Sequence, residues 1–206
     1  MVFTHSASGR NRTYDPLLKR QVLYRLSYGR ILTYWCIIAL MTHNVHILLP
    51  DIRSAYNVGS IFRSADCFGV EKIYLTSTTP RPTDRFGRST SGPQKEIAKT
   101  ALGAEKSVVW EYIENTLDVI KWVKKEGFTV VAIEQAENSV GIATFKKIIK
   151  TDKIQNILCV FGNEVEGVSK DILKLCDYVI EIPMKGEKES LNVSVCAGVV
   201  MYELLK

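Results

Sequence analysis

Residues 160–206 read VFGNEVEGVSKDILKLCDYVIEIPMKGEKESLNVSVCAGVVMYELLK, and this stretch decides the predicted fold. It holds an acidic loop bounded by glycines, GNEVEG, then a short helix and a strand that ends at Ile182-Pro183-Met184. A charged loop follows, and SLN stands before an apolar closing helix. A second distinctive stretch, NVGSIFR at residues 57–63, lies near the start of the predicted core. We expect the two stretches to form one site.

Predicted strands alternate with predicted helices along residues 41–206. The apolar runs VHILLP, EKIYLTS, SVVWEY, FTVVAIEQ, KIQNILCVFG and YVIEIPM are typical of buried strands. Helices are predicted in SAYNVGSIFRSADCFG, NTLDVIKWVKKEG, SKDILKLC and SLNVSVCAGVVMYELL. KEIAKTALGAEK indicates a short helix or turn, and SVGIATFKKIIK a loop with a partial helix. The alternation predicts an α/β fold with a mostly parallel sheet and helices on both faces.

Several residues are predicted to mark the ends of these helices. Asn115 or Thr116 is expected as an N-cap, and Gly127 as the matching C-cap. Asn57 opens its helix, so an N-cap or turn role competes with a functional one. The loops at residues 162–167 and 185–190 both follow predicted strands, and ligands of open α/β sheets bind at the carboxyl ends of strands. Neither GxGxxG nor GxxxxGK[ST] follows the first strand, which argues against a dinucleotide-binding or P-loop site.

The net charge of +5 is unevenly distributed. Residues 1–40 contain six Lys/Arg and one acidic residue, while residues 41–206 contain 21 of each sign. The basic character of the whole chain is therefore weak support for a nucleic-acid partner. Residues 1–40 form a basic and apolar extension, and the predicted domain is 41–206. Three interpretations of the extension stay open: a spurious upstream start before Met41, a basic RNA-binding arm, or a membrane or targeting element.

The membrane interpretation is disfavoured because the apolar run ILTYWCIIAL has ten residues, against roughly 20 needed to span a bilayer. The five cysteines include no CxxC pair. Cys67, Cys159 and Cys196 lie in apolar runs, which predicts buried thiols in a reducing, cytoplasmic compartment. No metal site is expected, since the histidines lack paired ligand spacing; they are His5, His43 and His46.

Three motifs in order give the chain a resemblance to a known family. They are Asn57-x-Gly59-x3-Arg63, then FGNE-x-x-G at residues 161–167, then IPM at 182–184 with SLNVS at 190–194. Together they resemble the motifs of the SpoU/TrmH family, which are RNA ribose 2'-O-methyltransferases of the SPOUT class. The resemblance covers residues 44–206. It implies that the last helix passes through a loop to form a trefoil knot, which binds S-adenosylmethionine in a bent form.

The resemblance also implies roles for particular residues. Donor contacts are expected from Gly162, Ile182 and Leu191, with Val160 and Met184 as further apolar walls. Arg63 is expected to act on the ribose 2'-hydroxyl. Because arginine stays protonated in proteins, we expect it to bind the adjacent phosphate and orient the hydroxyl. Catalytic-site roles beside it are also implied for Asn57, Glu164, Ser190 and Asn192. Glu164 is expected to orient Arg63 or the RNA, and Ser190 and Asn192 can equally cap the last helix.

RNA is the partner that the resemblance implies, and tRNA is the expected substrate because compact family members act mostly on tRNA. The alternatives are an rRNA 2'-O-methyltransferase, a base-modifying SPOUT enzyme, and a non-catalytic RNA-binding SPOUT protein. Basic residues expected at the RNA backbone are Arg53 and three arginines of the loop TTPRPTDRFGRSTSGPQ, namely Arg81, Arg85 and Arg88, with Lys95 as a weaker candidate. An ordinary solvated loop is the competing interpretation. The family is usually a homodimer, and we expect a dimer through the last helix.

Overall fold

The computed structural model describes residues 43–84, 86–89 and 92–206. The predictions for residues 1–40 and for Arg85 lie outside the described residues. The elements in chain order are β1 (Asn44–Pro50), α1 (Ala55–Phe68), β2 (Lys72–Thr76), α2 (Gly92–Ala101), α3 (Ala104–Ser107), β3 (Val109–Ile113), α4 (Thr116–Lys125), β4 (Thr129–Ile133), β5 (Val140–Gly141), α5 (Ile142–Asp152), β6 (Asn156–Phe161), α6 (Lys170–Leu173), β7 (Tyr178–Glu181) and α7 (Val193–Leu205). Among the described residues, no helix has the length and apolarity needed to cross a membrane.

The described strands form one seven-stranded sheet in the order β3-β2-β1-β6-β4-β7-β5. Every pair of neighbouring strands is parallel. The chain builds outward from β1 to β3 and then crosses to the other half of the sheet, where β6 lies between β1 and β4. This confirms the predicted parallel sheet. Its order reverses beside β1 and β6, which is where a ligand crevice forms in such sheets.

Alternate residues of the central strands enter two separate apolar layers. On one face, residues such as Ile47, Cys159 and Phe161 pack with α1, α2, α5 and α7. On the other face, Leu158 and Val160 pack with α4 and α6. Because successive strand residues point to opposite faces, two helix layers are needed to cover the sheet. The prediction of helices on both faces is confirmed, and the trefoil knot stays a prediction.

Helix α1 begins and ends at residues with clear capping roles. The N-cap is Ser54, whose hydroxyl accepts a hydrogen bond from the Asn57 backbone N–H at 3.3 Å. The helix is followed by Gly69 with φ of 73°, a left-handed conformation that glycine adopts without strain. Of the competing interpretations of Asn57, the N-cap role is therefore excluded. Since Ser54 fills that position, the side chain of Asn57 is available for contacts outside its own helix.

Three other local predictions are settled by the structure. Asn115 is the N-cap of α4, where its side chain accepts a hydrogen bond from the Leu117 N–H at 2.9 Å. The segment predicted as a loop with a partial helix is the complete helix α5, whose Phe145 and Ile149 are buried. Burial of these side chains against the sheet stabilises a helix that its weak local signals did not predict. The expectation that Cys67 is buried is also wrong: it is exposed, whereas Cys159 is buried.

Helices α1 and α2 make backbone contact at Gly59. A Cβ atom built on Gly59 would lie 2.4 Å from the Ile97 carbonyl oxygen and 2.1 Å from the Thr100 hydroxyl oxygen. A backbone carbonyl inside a helix cannot move aside as a flexible side chain can. The glycine of the NVGSIFR stretch is thus required by helix packing.

We predict that Gly59→Ala lowers the free energy of unfolding by about 2–3 kcal/mol, the usual cost of overpacking a close contact. Urea denaturation of the full chain measures it. The matched control is Gly186→Ala, since a Cβ at Gly186 would meet nothing within 4 Å. An equal effect of both substitutions, or none at Gly59, would contradict the proposed contact.

Candidate active site

A cavity of about 560 Å³ opens at the carboxyl ends of β4, β6 and β7. Its walls come from the end of β4, the GNEVEG loop after β6, the segment after β7 and the start of α7. The lining residues are Ile133, Glu134, Gln135, Phe161, Gly162, Asn163, Glu164, Val165, Glu166, Gly167, Glu181, Ile182, Met184, Ser190, Leu191, Asn192, Val193 and Cys196. This volume lies within the range of small-molecule sites, about 300–1,000 Å³.

Most of the residues predicted to contact a small ligand line this cavity. Gly162, Ile182, Met184 and Leu191 all do. Val160 does not, because it is fully buried in the layer that faces α4 and α6. The neighbouring residue, Phe161, points the other way and reaches the cavity wall. The strand alternation of β6 therefore gives the predicted apolar wall to Phe161 instead of Val160.

The GNEVEG loop is held in shape by its own backbone. Asn163 and Gly167 exchange two backbone hydrogen bonds, of 3.2 and 3.1 Å. The Asn163 side-chain oxygen also accepts from the N–H groups of Val165 and Glu166, at 2.9 and 2.7 Å. A Cβ on Gly162 would lie 2.1 Å from the Gly167 carbonyl carbon. The two glycines let the loop close on itself and present Glu164 toward α1.

The Glu164 carboxylate accepts three hydrogen bonds from the start of α1. The donors are the backbone N–H groups of Arg53 and Ser54, at 3.0 and 3.1 Å, and the side-chain amide of Asn57, at 2.9 Å. Partial burial alone would raise the pKa of Glu164, but the hydrogen bonds from the Arg53 N–H and Asn57 outweigh it and lower the pKa. Glu164 is therefore an anionic acceptor at neutral pH.

Asn57 connects this carboxylate to the last helix. Its side-chain oxygen accepts a hydrogen bond from the Asn192 amide at 3.2 Å. Asn192 is in turn the N-cap of α7, and its side-chain oxygen accepts from the Ser194 N–H at 2.9 Å. One hydrogen-bonded chain thus joins Glu164, Asn57 and Asn192. These residues come from the three sequence motifs, and Asn57 lies 107 positions before Glu164 and 135 positions before Asn192.

Two polar residues at the end of β4 belong to the site although the motifs did not predict them. The Glu134 carboxylate accepts from the Val168 N–H at 2.8 Å, and a Cβ on Gly167 would lie 2.1 Å from the same oxygen. The Gln135 amide donates to the Glu189 carbonyl at 2.7 Å. The pair therefore supports both loops of the cavity. In the sequence, Glu134 and Gln135 are a polar pair at the carboxyl end of the apolar run FTVVAI. The predicted strand FTVVAIEQ includes this pair.

Cys196 contributes a neutral group to the cavity wall. Burial raises the pKa of the Cys196 thiol to about 11, and the nearby Glu134 charge acts in the same direction. The thiol therefore stays protonated at neutral pH. In the described part of the chain, no three potential metal-ligating side chains form a cluster.

The sequence also matches a known protein family. The sequence model of the SpoU rRNA Methylase family matches residues 44–202. The chain belongs to the SpoU family. The family predicted from the three motifs is thereby confirmed, and the matched range includes all the residues that line the cavity.

Similar SpoU-family proteins have names that refer to RNA methylation. The 23S rRNA (guanosine-2'-O-)-methyltransferase of Coxiella burnetii is 29% identical over 158 residues, which are 77% of this chain and 56% of that protein. The chain thus spans little more than half of that relative's length. The AdoMet-bound rRNA methyltransferase of Sinorhizobium meliloti has a similar crystal structure, with a TM-score of 0.64, 25% identity, and coverage of 78% of this chain and 55% of that one.

A shorter similar structure is matched over more of its length. The TrmH/SpoU tRNA modifying enzyme of A. aeolicus has a TM-score of 0.64 and 27% identity. The match covers 80% of this chain and 75% of that one. These two structures and the parallel sheet agree on the SpoU-type fold.

The structure places the SpoU-motif arginine outside the cavity wall. Arg63 is exposed on α1, and among the described residues no carboxylate forms an ion pair with it. In the same part of the chain, Glu164 makes no hydrogen bond to Arg63; its partners are the start of α1. A role of Glu164 in orienting Arg63 or the RNA therefore stays a prediction, without a direct hydrogen bond between the two described side chains. Ser190, by contrast, is exposed and lines the cavity next to Leu191.

The predicted RNA-binding arginines differ in how they are held. Arg53 is exposed beside the start of α1. The guanidinium of Arg81 lies over the Tyr112 ring, 4.1 Å from its centre. Arg88 forms an ion pair with Asp84 at 2.9 Å, and its Nε–H also donates a hydrogen bond to the same carboxylate. Arg81 and Arg88 thus stabilise the loop itself, and the charge of Arg88 is partly neutralised.

We predict that Glu164→Gln lowers the unfolding free energy by about 1 kcal/mol at pH 7, since it weakens charge-assisted hydrogen bonds at an exposed site. Because the folded-state pKa of Glu164 is depressed, this stability is present above the unfolded pKa and is lost as the pH falls through the folded pKa. The difference from the unaltered chain should therefore shrink in acid. Glu166→Gln in the same loop is the control, and denaturant titrations at several pH values provide the measurement. A difference that persists unchanged at low pH would contradict this assignment.

Proposed function

We propose that this protein transfers the methyl group of S-adenosylmethionine to a ribose 2'-hydroxyl of RNA, with tRNA as the substrate. The observation that carries the proposal is the hydrogen-bonded chain of Glu164, Asn57 and Asn192 at the rim of the cavity. It brings together the three motifs by which the chain resembles RNA ribose methyltransferases. A purely structural network would have no need of a cavity of about 560 Å³ beside it.

The residues of the cavity fit the methyl donor. Phe161, Ile182, Met184 and Leu191 offer apolar surface to the adenine, and the GNEVEG backbone offers polar groups. When bound, S-adenosylmethionine supplies a methyl group on a sulfonium, which is already activated for transfer. The protein's own residues then need mainly to align the ribose hydroxyl and to help remove its proton as the oxygen takes the methyl group and S-adenosylhomocysteine leaves.

Three polar side chains at the rim can hold the ribose. Ser190, Asn192 and Asn57 present hydroxyl and amide groups, which both donate and accept hydrogen bonds. Glu164 keeps Asn57 in a single orientation, because its anion fixes the amide as a donor. The lowered pKa of Glu164 suits an acceptor that stays ionised. Arg63 stays protonated and would bind the phosphate next to the target ribose.

The tRNA assignment rests on the match to the A. aeolicus tRNA modifying enzyme, which extends over 75% of that chain. The rRNA methyltransferases are matched over 55–56% of their lengths. Their names favour rRNA as the second candidate substrate.

We also propose a cytoplasmic location, supported by the free thiols of Cys67, Cys159, Cys176 and Cys196 among the described residues.

Methyl transfer by the full chain tests the function. Labelled S-adenosylmethionine is offered with unmodified bulk tRNA or rRNA, and the product is digested with alkali, which cannot cleave beside a 2'-O-methyl ribose. We expect label in alkali-resistant dinucleotides from tRNA. Arg63→Ala should reduce the rate about 100-fold or more, as removal of an aligning charge does. Lys125→Ala, on the far face of the sheet, is the control.

Label in rRNA alone would reject tRNA as the substrate, and the proposed methylation of the ribose would stand. Label that alkali releases as mononucleotides would indicate base methylation. An unlabelled product with both RNAs would leave a non-catalytic RNA-binding protein, provided that the chain still binds RNA.

We further propose a homodimer through the outer face of α7. This helix, VSVCAGVVMYELL, is mostly apolar. Even so, it exposes 53% of Val195, 36% of Val199 and 51% of Tyr202. Such an apolar face is normally covered by a partner. A second copy of the chain is the partner that the family resemblance implies.

Light scattering should give the mass of two chains, and Val195→Lys should reduce it to that of one, because a charge would be buried in the interface. Val109→Lys is the control, since Val109 is 60% exposed and lies on the edge strand β3, not on α7. A one-chain mass for the unaltered protein would exclude the dimer.

A further inference from the structure

An aromatic side chain lies next to the motif asparagine on the outer face of α1. Tyr56 directly precedes Asn57, and it is 43% exposed. Asn57 points to Glu164 and Asn192 at the cavity rim, whereas Tyr56 points toward solvent on the neighbouring face of the helix. Residues 56, 60 and 63 follow the i, i+4, i+7 spacing, so Tyr56 shares one helix stripe with the half-buried Ser60 and the exposed Arg63. None of the predicted roles uses Tyr56.

Helix α2 brings a lysine to this ring. The Lys99 Nζ lies 5.8 Å from the centre of the Tyr56 ring, within cation–π range. The Thr100 hydroxyl donates to the Tyr56 carbonyl at 3.0 Å and fixes the two helices locally. This approach is possible because Gly59 lets the α2 backbone come into contact with α1. The ring and the ammonium group are therefore placed by the packing of two helices.

The charge of this surface is mainly uncompensated. Lys95 and Lys99 are exposed one turn apart on α2, and Arg63 is exposed on α1. Within the part of the chain that the structure describes, none of the three forms an ion pair. The acidic residues of the same two helices are Asp66, which accepts from the Ser107 hydroxyl, and the half-buried Glu96. In the preceding loop, by contrast, Arg81 lies over the Tyr112 ring and Arg88 pairs with Asp84.

We propose that Tyr56, Lys95 and Lys99 form an RNA-binding surface, the Tyr56 platform, that holds an unpaired nucleotide next to the one being methylated. A base stacks on the Tyr56 ring, and the lysines bind the flanking phosphates. This inference rests on the proposed function, and it adds the form of RNA that the site accepts. A stacking base must be unpaired, so the target ribose lies in a loop or single strand.

An aromatic ring beside unpaired lysines fits a nucleic acid better than an apolar protein surface. A protein partner would bury Lys95 and Lys99 without compensation, which is costly. A base offers a π-face to the ring, and its phosphates neutralise the lysines. Since Asn57 follows Tyr56 in the chain, a nucleotide on this ring leaves its neighbour within reach of the cavity rim.

RNA binding by the full chain tests the Tyr56 platform separately from catalysis. Filter binding with unmodified tRNA gives the Kd at several salt concentrations. We expect Tyr56→Ala to weaken binding about 5- to 150-fold, the range for loss of one stacked base, while Tyr56→Phe keeps the affinity. Lys99→Ala should weaken binding and reduce the salt slope by about one. Single-stranded oligonucleotides should compete better than a blunt RNA duplex.

The controls are an aromatic and a lysine on the opposite face of the sheet. Trp122→Ala and Lys125→Ala on α4 should leave the Kd unchanged, and Trp122 is as exposed as Tyr56, at 44%. Calorimetry with S-adenosylmethionine should show unchanged donor binding in the Tyr56 variants, which excludes a general loss of structure.

Three results would overturn the Tyr56 platform. The first is an unchanged RNA affinity in Tyr56→Ala and Lys99→Ala while the unaltered chain still methylates RNA; the proposed function would then stand alone. The second is a change in molecular mass in Tyr56→Ala, which would assign the ring to the dimer interface. The third is a failure of the unaltered chain to bind RNA, which would reject the proposed function as well.

Discussion

The hydrogen bonds between the Glu164 carboxylate and the start of α1 determine how the site is assembled. The first N–H groups of a helix have no partners within it, and a carboxylate satisfies them especially well. Glu164 accepts from the N–H of the N-cap Ser54, from the N–H of Arg53 just before it, and from the Asn57 side chain. The same interaction orients Asn57 toward Asn192 and so toward the first turn of α7. A loop after β6 thereby positions the two helices that border the cavity.

This arrangement depends on close backbone packing at a few glycines. Gly59 allows α1 to touch α2, and Gly162 allows the GNEVEG loop to fold against Gly167. Gly167 itself has φ of 68° and lies against the Glu134 carboxylate. Any side chain at Gly59 or Gly162 would meet backbone atoms, which cannot shift without distorting a helix or the loop. The glycines of the motifs are thus explained by the protein's own packing before any ligand is considered.

Charge is distributed by the fold in a way that the net value of +5 does not show. In the loop before α2, Arg81 packs on the Tyr112 ring and Arg88 forms an ion pair with Asp84. Within the described residues, Arg63, Lys95 and Lys99 form no ion pair, and they lie on the two packed helices α1 and α2. Local ion pairing, more than the number of basic residues, therefore decides which surface is available to a polyanion.

The sequence by itself determined the parallel α/β fold, the family and most of the cavity wall. Strand runs such as NILCVF are local signals, readable from their hydrophobic period. The wall residues Gly162, Ile182 and Leu191 came from the resemblance of the motifs to the SpoU family. Only the tertiary structure decided that Ser54 caps α1, that Phe161 replaces Val160 in the wall, and that Glu134 supports the loop. It also brought Tyr56 beside Lys99. These contacts join residues far apart in the chain, and they depend on which face of a strand or helix is turned inward. No periodicity within a single segment contains that information, because it is fixed only when the elements pack against one another.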